Sequence, residues 1–244
     1  MIIKVEPIRE REKGEHQQDD NENPGGVDIE NLKKDVAKSE SEHQDTRQWW
    51  DRAHETSHEF CSGTAGTDVW ERLNITDRII PGMAVLNIGV GLGFCTRELV
   101  KRGCVVDVLD ISPIAIRRVQ DVIRHGWLPR QFNEFPESVF DLAISHLVTQ
   151  HMVAADLAQQ LDVVIKSLKP SGLFAMQFSF PLDGETPPDN EHSGRVKSGG
   201  VFYTMDRMQG MVDRAGGRIA WSRQIGTFPE FCSGWYAVHI ARSD

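Results

Sequence analysis

Cysteine is scarce in this chain, long apolar runs are missing, and no basic cluster interrupts an acidic balance. The four cysteines, Cys61, Cys95, Cys104 and Cys232, form no Cys-x-x-Cys pair, and no histidine joins them in a metal-ligand pattern. That argues against a structural zinc site or a disulfide framework; reduced, mostly buried thiols and no metal are expected. No apolar run approaches the roughly 20 residues of a membrane-spanning helix, so no membrane partner is expected. The N-terminus reads Met-Ile-Ile-Lys-Val and turns charged at once. It lacks the apolar stretch of a secretory signal, and a cytoplasmic location is the expectation. Asp and Glu number 36 against 27 Lys and Arg, a net charge of −9. Tight non-specific binding to nucleic acid draws on a basic face, so nucleic acid is not an expected partner. Oligomeric state leaves no mark in these counts.

Aromatic side chains are absent from residues 1–48, which are rich instead in Glu, Asp, Lys, Gln and Asn. Such a segment buries too little apolar surface to offset its ordering entropy. It is expected to be a polar, partly disordered extension, with a short amphipathic helix where Ile29, Leu32 and Val36 repeat after Gly25-Gly26. Character changes at Trp49-Trp50, and residues 49–244 are expected to form one domain. Its first part, 49–80, reads as helices interrupted near Ser62–Gly66.

Strands and helices then alternate. Ala84–Ile88, Cys104–Leu109, Phe140–Ser145 and Leu173–Phe178 read as strands. Cys95–Arg102, Pro113–Arg124, Ala154–Leu168 and Thr204–Ala215 read as helices, the second with Pro at its first turn. Lys169-Pro170-Ser171-Gly172 breaks the third helix, and residues 181–200, rich in Pro, Gly, Asp and Asn, read as a long loop. Two final β runs, Arg218–Gln224 and Trp235–Ala241, are joined by a short turn through Pro229 and must pair antiparallel. The pattern predicts a Rossmann-like α/β fold: a doubly wound, mostly parallel sheet with a C-terminal antiparallel hairpin. Ligands in such sheets bind beyond the carboxyl ends of the strands, which gathers the loops after Ile88, Leu109, Ser145 and Phe178 around one site.

The densest signal is Val85-Leu86-Asn87-Ile88-Gly89-Val90-Gly91-Leu92-Gly93-Phe94. Alternating glycines between a strand and a helix let backbone N–H groups approach a ligand that a Cβ would block. Asp110, closing the next strand, is placed to accept hydrogen bonds from ribose hydroxyls. Glycines and acid together point to a nucleoside-containing cofactor. The dinucleotide fingerprint G-x-G-x-x-G would need glycine at position 94, where Phe94 stands.

These stretches, with Val106–Ser112, Phe140–Ser145 and Leu168–Leu173 in the same order and spacing, resemble the class I S-adenosylmethionine-dependent methyltransferases, particularly their small-molecule branch. The resemblance runs from about Ile80 to the C-terminus. It implies S-adenosyl-L-methionine as cofactor, with Gly89, Gly91 and Gly93 beneath its methionyl and ribose part. It further implies that Asp110 binds the ribose, that Ile111 packs on the adenine, and that Ser145 and His146 border the pocket. Two departures stand out. Asn87 occupies the position of an acid that helps bind the cofactor's ammonium group. Between Arg124 and Phe140, only Gly126–Val139 replaces a third strand and an acid-bearing loop, so a truncated edge strand is expected, with adenine bounded by Leu128 and Phe132.

Methyl transfer to a hydroxyl benefits from a positioned base, the usual work of histidine. His146 and His151, in the segment after Ser145, are the candidates; the competing reading is that they only shape the pocket. Substrate contacts are expected from the lid helices at Trp50 and Arg52, and from His192 and Arg195 in the 181–200 loop. Plain packing and a solvated excursion are the respective alternatives. A small polar acceptor is expected, a hydroxyl of a sugar, polysaccharide end or natural product. A nicotinamide-dependent oxidoreductase and a non-catalytic binding partner with the same fold are the competing functions.

Overall fold

The computed structural model describes residues 46–55, 67–181, 201–228 and 233–243. Two helices come first, α1 at residues 46–55 and α2 at Thr67–Arg72. The alternating part follows: β1 (Ala84–Ile88), α3 (Phe94–Lys101), β2 (Val105–Leu109), α4 (Pro113–Arg117), β3 (His125–Trp127) and β4 (Phe140–Ser145). After these come α5 (Ala154–Ser167), β5 (Leu168–Pro181), α6 (Met205–Arg214), β6 (Gly217–Phe228) and β7 (Ser233–Arg242). All seven strands form one sheet in the order β3-β2-β1-β4-β5-β7-β6. The first five are mutually parallel, and β7 runs antiparallel to both β5 and β6. This is the doubly wound sheet with a terminal antiparallel pair that the sequence pattern implies.

The central strands are apolar on both sides because helices cover both faces. On one face Leu86, Ile88, Ala143 and Phe174 pack with Leu157 and Leu161 of α5 and Met208 and Val212 of α6. On the other, Val85, Val106, Leu142 and Ile144 meet Trp70 and Leu73, Leu99 of α3, and Ala115 and Val119. Ser112 caps α4, its Oγ accepting from the Ala115 N–H, with Pro113 in the first turn. The edge strand β3 has three residues, the truncation expected from the short 126–139 segment. Its neighbour β2 carries the buried Asp107, whose carboxylate accepts from Arg124 Nε at 2.8 Å.

Two elements differ from the sequence reading. The helix expected over Pro113–Arg124 ends at Arg117 and continues as turns, with Val119 N–H bonding Ile116 O and Val122 N–H bonding Val119 O. Arg124 N–H is already held by Val106 O, so the chain must reverse within a few residues to reach β3. The Lys169–Gly172 break lies inside β5, which pairs with β4 from Phe140↔Leu168 onward through an irregularity before Leu142↔Leu173. A register shift absorbs the Pro and Gly that read as a loop. The helix expected at Ile29–Val36, the 182–200 loop with His192 and Arg195, and the turn through Pro229 lie outside the described residues. Among the described residues no helix is long and apolar enough to cross a membrane, and no cluster of three or more His, Cys, Asp or Glu could hold a metal. The described cysteines, Cys95 and Cys104, are free thiols.

Candidate active site

The loop from β1 into α3 is stitched to the end of β2. Gly89 N–H bonds Leu109 O at 2.8 Å, and Val90 N–H bonds Asp110 Oδ2 at 2.7 Å. Asp110 Oδ1 accepts from Ser112 N–H at 2.8 Å. Gly89, Gly91 and Gly93 have φ of +77°, +54° and +84°, the left-handed region that L side chains avoid. Their surroundings differ. A Cβ on Gly89 would fall 2.1 Å from Val148 Cγ2, and one on Gly93 would fall 2.4 Å from Val119 Cγ1. A Cβ on Gly91 would meet nothing within 4 Å. Gly89 and Gly93 therefore answer to packing, whereas Gly91 leaves an open backbone cradle of the kind a bound ligand fills.

Asp110 is nearly buried. Burial pushes its carboxyl pKa up, while the N–H groups of Ser112 and Val90, then His54, then the N–H of Gly91, pull it down. Oδ2 accepts from Val90 and Oδ1 from Ser112, with the Gly91 N–H also near; two carboxylate oxygens offer about four lone-pair sites in all. Ile111 follows it, half-buried, and Leu128 is half-buried after β3, its N–H bonded to Gln131 Oε1 at 3.0 Å. Asn87 is buried and turned toward α3, its Nδ2 donating to Thr96 Oγ1 at 2.9 Å and its Oδ1 accepting from Cys95 Sγ at 3.5 Å. Most of its polar capacity thus goes to holding the glycine loop's helix in place.

Helix α1 closes one side of the site through contacts that sequence reading missed. Asp51 Oδ1 accepts from Ser112 Oγ, and Arg118 donates to the His54 carbonyl. Burial lowers the pKa of His54, opposed by Asp110, with Arg118 lowering it and Asp51 raising it. Trp50 stacks on His54 and meets His151 edge-on, with ring centroids 4.9 Å apart. A candidate substrate residue and a candidate base are thus in contact, whereas Arg52 on the same helix is exposed. No motif announces the Asp51–Ser112 pairing, since the partners lie 61 residues apart.

Beyond β4 the chain reads Ser145-His146-Leu147-Val148-Thr149-Gln150-His151. Leu147 sits at φ +60°, and Thr149–His151 forms a 3-10 turn. Ser145 and Thr149 are fully buried, and neither hydroxyl has a hydrogen-bond partner among the described residues. The same holds for Nε2 of His146. Burial, reinforced by Arg72, lowers the His146 pKa to about 4, so its ring is uncharged at neutral pH. His151 is half-buried, its Nε2 3.4 Å from Gln150 Nε2.

The glycine loop and the acid at the end of β2 lie together beyond the carboxyl ends of the central strands. In comparison with known proteins, residues 86–174 match the family described as "Methyltransferase domain". An uncharacterised methyltransferase of Synechocystis sp. is 33% identical over 101 residues, covering 40% of this chain and 48% of that protein. The chain thus spans about half the length of that curated relative. Among solved structures, phosphoethanolamine N-methyltransferase 2 of Haemonchus contortus, in complex with phosphomonomethylethanolamine and S-adenosylhomocysteine, has a TM-score of 0.62 at 15% identity. That match covers 82% of this chain and 61% of the other. The 1,6-didemethyltoxoflavin-N1-methyltransferase of Burkholderia thailandensis has a TM-score of 0.52 at 17% identity, over 94% of this chain and 99% of the other. The cyclase SpnF has a TM-score of 0.57 at 12% identity, over 74% and 84%. At these identities the likeness is one of fold. Residues 86–174 thus match a methyltransferase domain, and the fold is that of solved S-adenosylmethionine-dependent methyltransferases.

Proposed function

We propose that this protein transfers the methyl group of S-adenosyl-L-methionine to a small polar acceptor, a hydroxyl of a sugar, polysaccharide end or natural product. The observation that carries the reading is the open cradle at Gly91 beside the buried Asp110, whose carboxylate fastens the loop. Such a cofactor, when bound, supplies an electrophilic sulfonium methyl group. The chain's own residues bind, orient and exclude water. Asp110 holds ribose hydroxyls, Ile111 and Leu128 border the adenine, and Asn87 offers its carbonyl's remaining lone pair to an ammonium group. The last is a weaker hold than a carboxylate gives.

Positioning in a dry pocket supplies much of the rate enhancement for an in-line displacement. A hydroxyl acceptor also needs its proton taken up. His146, with a pKa of about 4, is a poor acceptor for that proton and serves better as a neutral hydrogen-bonding group. His151, half-buried against Trp50, is the base in this reading. His151→Ala is expected to lower turnover by about 100-fold or more, the usual worth of a positioned base, with cofactor affinity unchanged. Loss of S-adenosylhomocysteine affinity without loss of turnover at saturation would assign His151 to the pocket wall instead.

Asn87 favours a second reading, a non-catalytic protein that keeps the fold, because its amide is bonded to Thr96 and Cys95. Binding of S-adenosylhomocysteine without methyl transfer to any acceptor would support it.

A further inference from the structure

We infer that Gln177 and His146 form the acceptor-recognition edge of this site, and that they select a neutral, planar acceptor presenting a hydrogen-bond donor and acceptor side by side, as a lactam or amide does. This rests on the methyltransferase reading above and adds to its acceptor a recognition group beside the methylated hydroxyl. Gln177 lies near the carboxyl end of β5, opposite Ala237 of β7, so its side chain shares a face with Ala175 and Ala237 in the second core. The parallel register Ser145↔Met176 places the next pair, His146 and Gln177, level with one another where β4 runs out into the site.

Gln177 is 1% exposed, yet neither its Nε2 nor its Oε1 has a hydrogen-bond partner among the described residues. Leaving a buried amide unpaired is costly, and an apolar side chain of similar size would avoid that cost. Phe174, Ala175 and Met176 before it and Phe178 after it are apolar. A buried amide with neither atom partnered among the described residues, level with the end of β4, has room for a polar ligand's hydrogen bonds.

The chemistry of the ligand follows from what is unpaired. A primary amide presents an N–H donor and a carbonyl acceptor side by side in a plane, the arrangement by which Asn and Gln grip an adenine edge bidentately. The uncharged His146 Nε2 adds one further bond to the same ligand. A cationic acceptor is disfavoured because the charge of Arg72 already acts on His146. A hydroxyl with no further polar group beside it would leave more of the amide unsatisfied.

The test is calorimetric titration of 2-pyridone, and of N-methyl-2-pyridone, which lacks the N–H donor, into the full chain saturated with S-adenosylhomocysteine. 2-Pyridone is expected to bind about tenfold more tightly than its N-methyl analogue, the worth of one good hydrogen bond. Gln177→Leu is expected to abolish that preference while leaving S-adenosylhomocysteine affinity unchanged and the melting temperature equal or higher. Gln177→Met serves the same test should the leucine variant not fold. Equal binding of the two pyridones, or a preference that survives in the folded variant, would overturn the inference while leaving the cofactor reading intact. Absence of S-adenosylhomocysteine binding would overturn both.

Discussion

Each glycine in the loop after β1 meets a different constraint, and that difference is measurable. Gly93→Ala forces a left-handed φ on alanine and drives a Cβ to 2.4 Å from Val119 Cγ1. Strain and overpacking together are expected to cost about 2–4 kcal/mol of stability in denaturant unfolding. Val119→Ala in the same chain should return part of that loss by making room. Gly91→Ala meets no atom within 4 Å and should cost only about 1 kcal/mol of backbone strain. Its larger expected effect is on S-adenosylhomocysteine affinity, because its Cβ fills the cradle. Equal stability losses at the two positions, with affinity unchanged in Gly91→Ala, would contradict the division of roles.

The contacts of helix α1 include bonds to the segment that follows Asp110. Asp51 accepts from Ser112, the residue that also donates its N–H to Asp110. A charge-assisted bond of this kind contributes about 1.5–3 kcal/mol, so Asp51→Ala should loosen the helix locally. The expected outcome is amide exchange over residues 46–55 that is at least about tenfold faster, with the central strands unaffected. Unchanged exchange would mean that aromatic packing of Trp50 on His54 and His151 suffices. At this scale the sequence was legible where a run of like residues had clear ends. β1 and β4 are bounded as read, because apolar runs stop at Gly89 and at the polar Ser145-His146 pair. α4 was overextended because Val119, Val122 and Ile123 continue an apolar pattern that the turns toward β3 also satisfy. Gln177 was passed over because one polar residue in an apolar strand acquires meaning only once its face and register are known.

Among the described residues three histidines have lowered pKa values, the buried His54 and His239 and the half-buried His146. His239 bonds the Leu73 carbonyl at 2.7 Å, so its Nε2 carries the hydrogen. Unfolding restores each ring to its ordinary value near 6.5, so below that pH the unfolded chain binds protons that the folded chain refuses. Stability is therefore full above about pH 6.5 and falls as pH drops toward the lowered values, which for His146 is about 4. Asp110, raised by burial, acts in the opposite direction as one group against three. The melting temperature is expected to be lower at pH 5.5 than at pH 7.5. His239→Gln, which keeps a donor for Leu73, should flatten the dependence by about one proton. A flat or rising melting temperature on acidification would contradict this account.

The family resemblance was legible because four short stretches, around Gly89, Asp110, Phe140 and Lys169, fall in the right order. The proposed acceptor side was not, because its residues lie on α1, β4 and β5, far apart in the sequence. The central claim remains the nucleoside cradle, and calorimetric titration of the full chain with S-adenosylhomocysteine and with NAD tests it most directly. The account predicts saturable binding of S-adenosylhomocysteine, weakened in Asp110→Ala, and no binding of NAD; binding of NAD alone would contradict it.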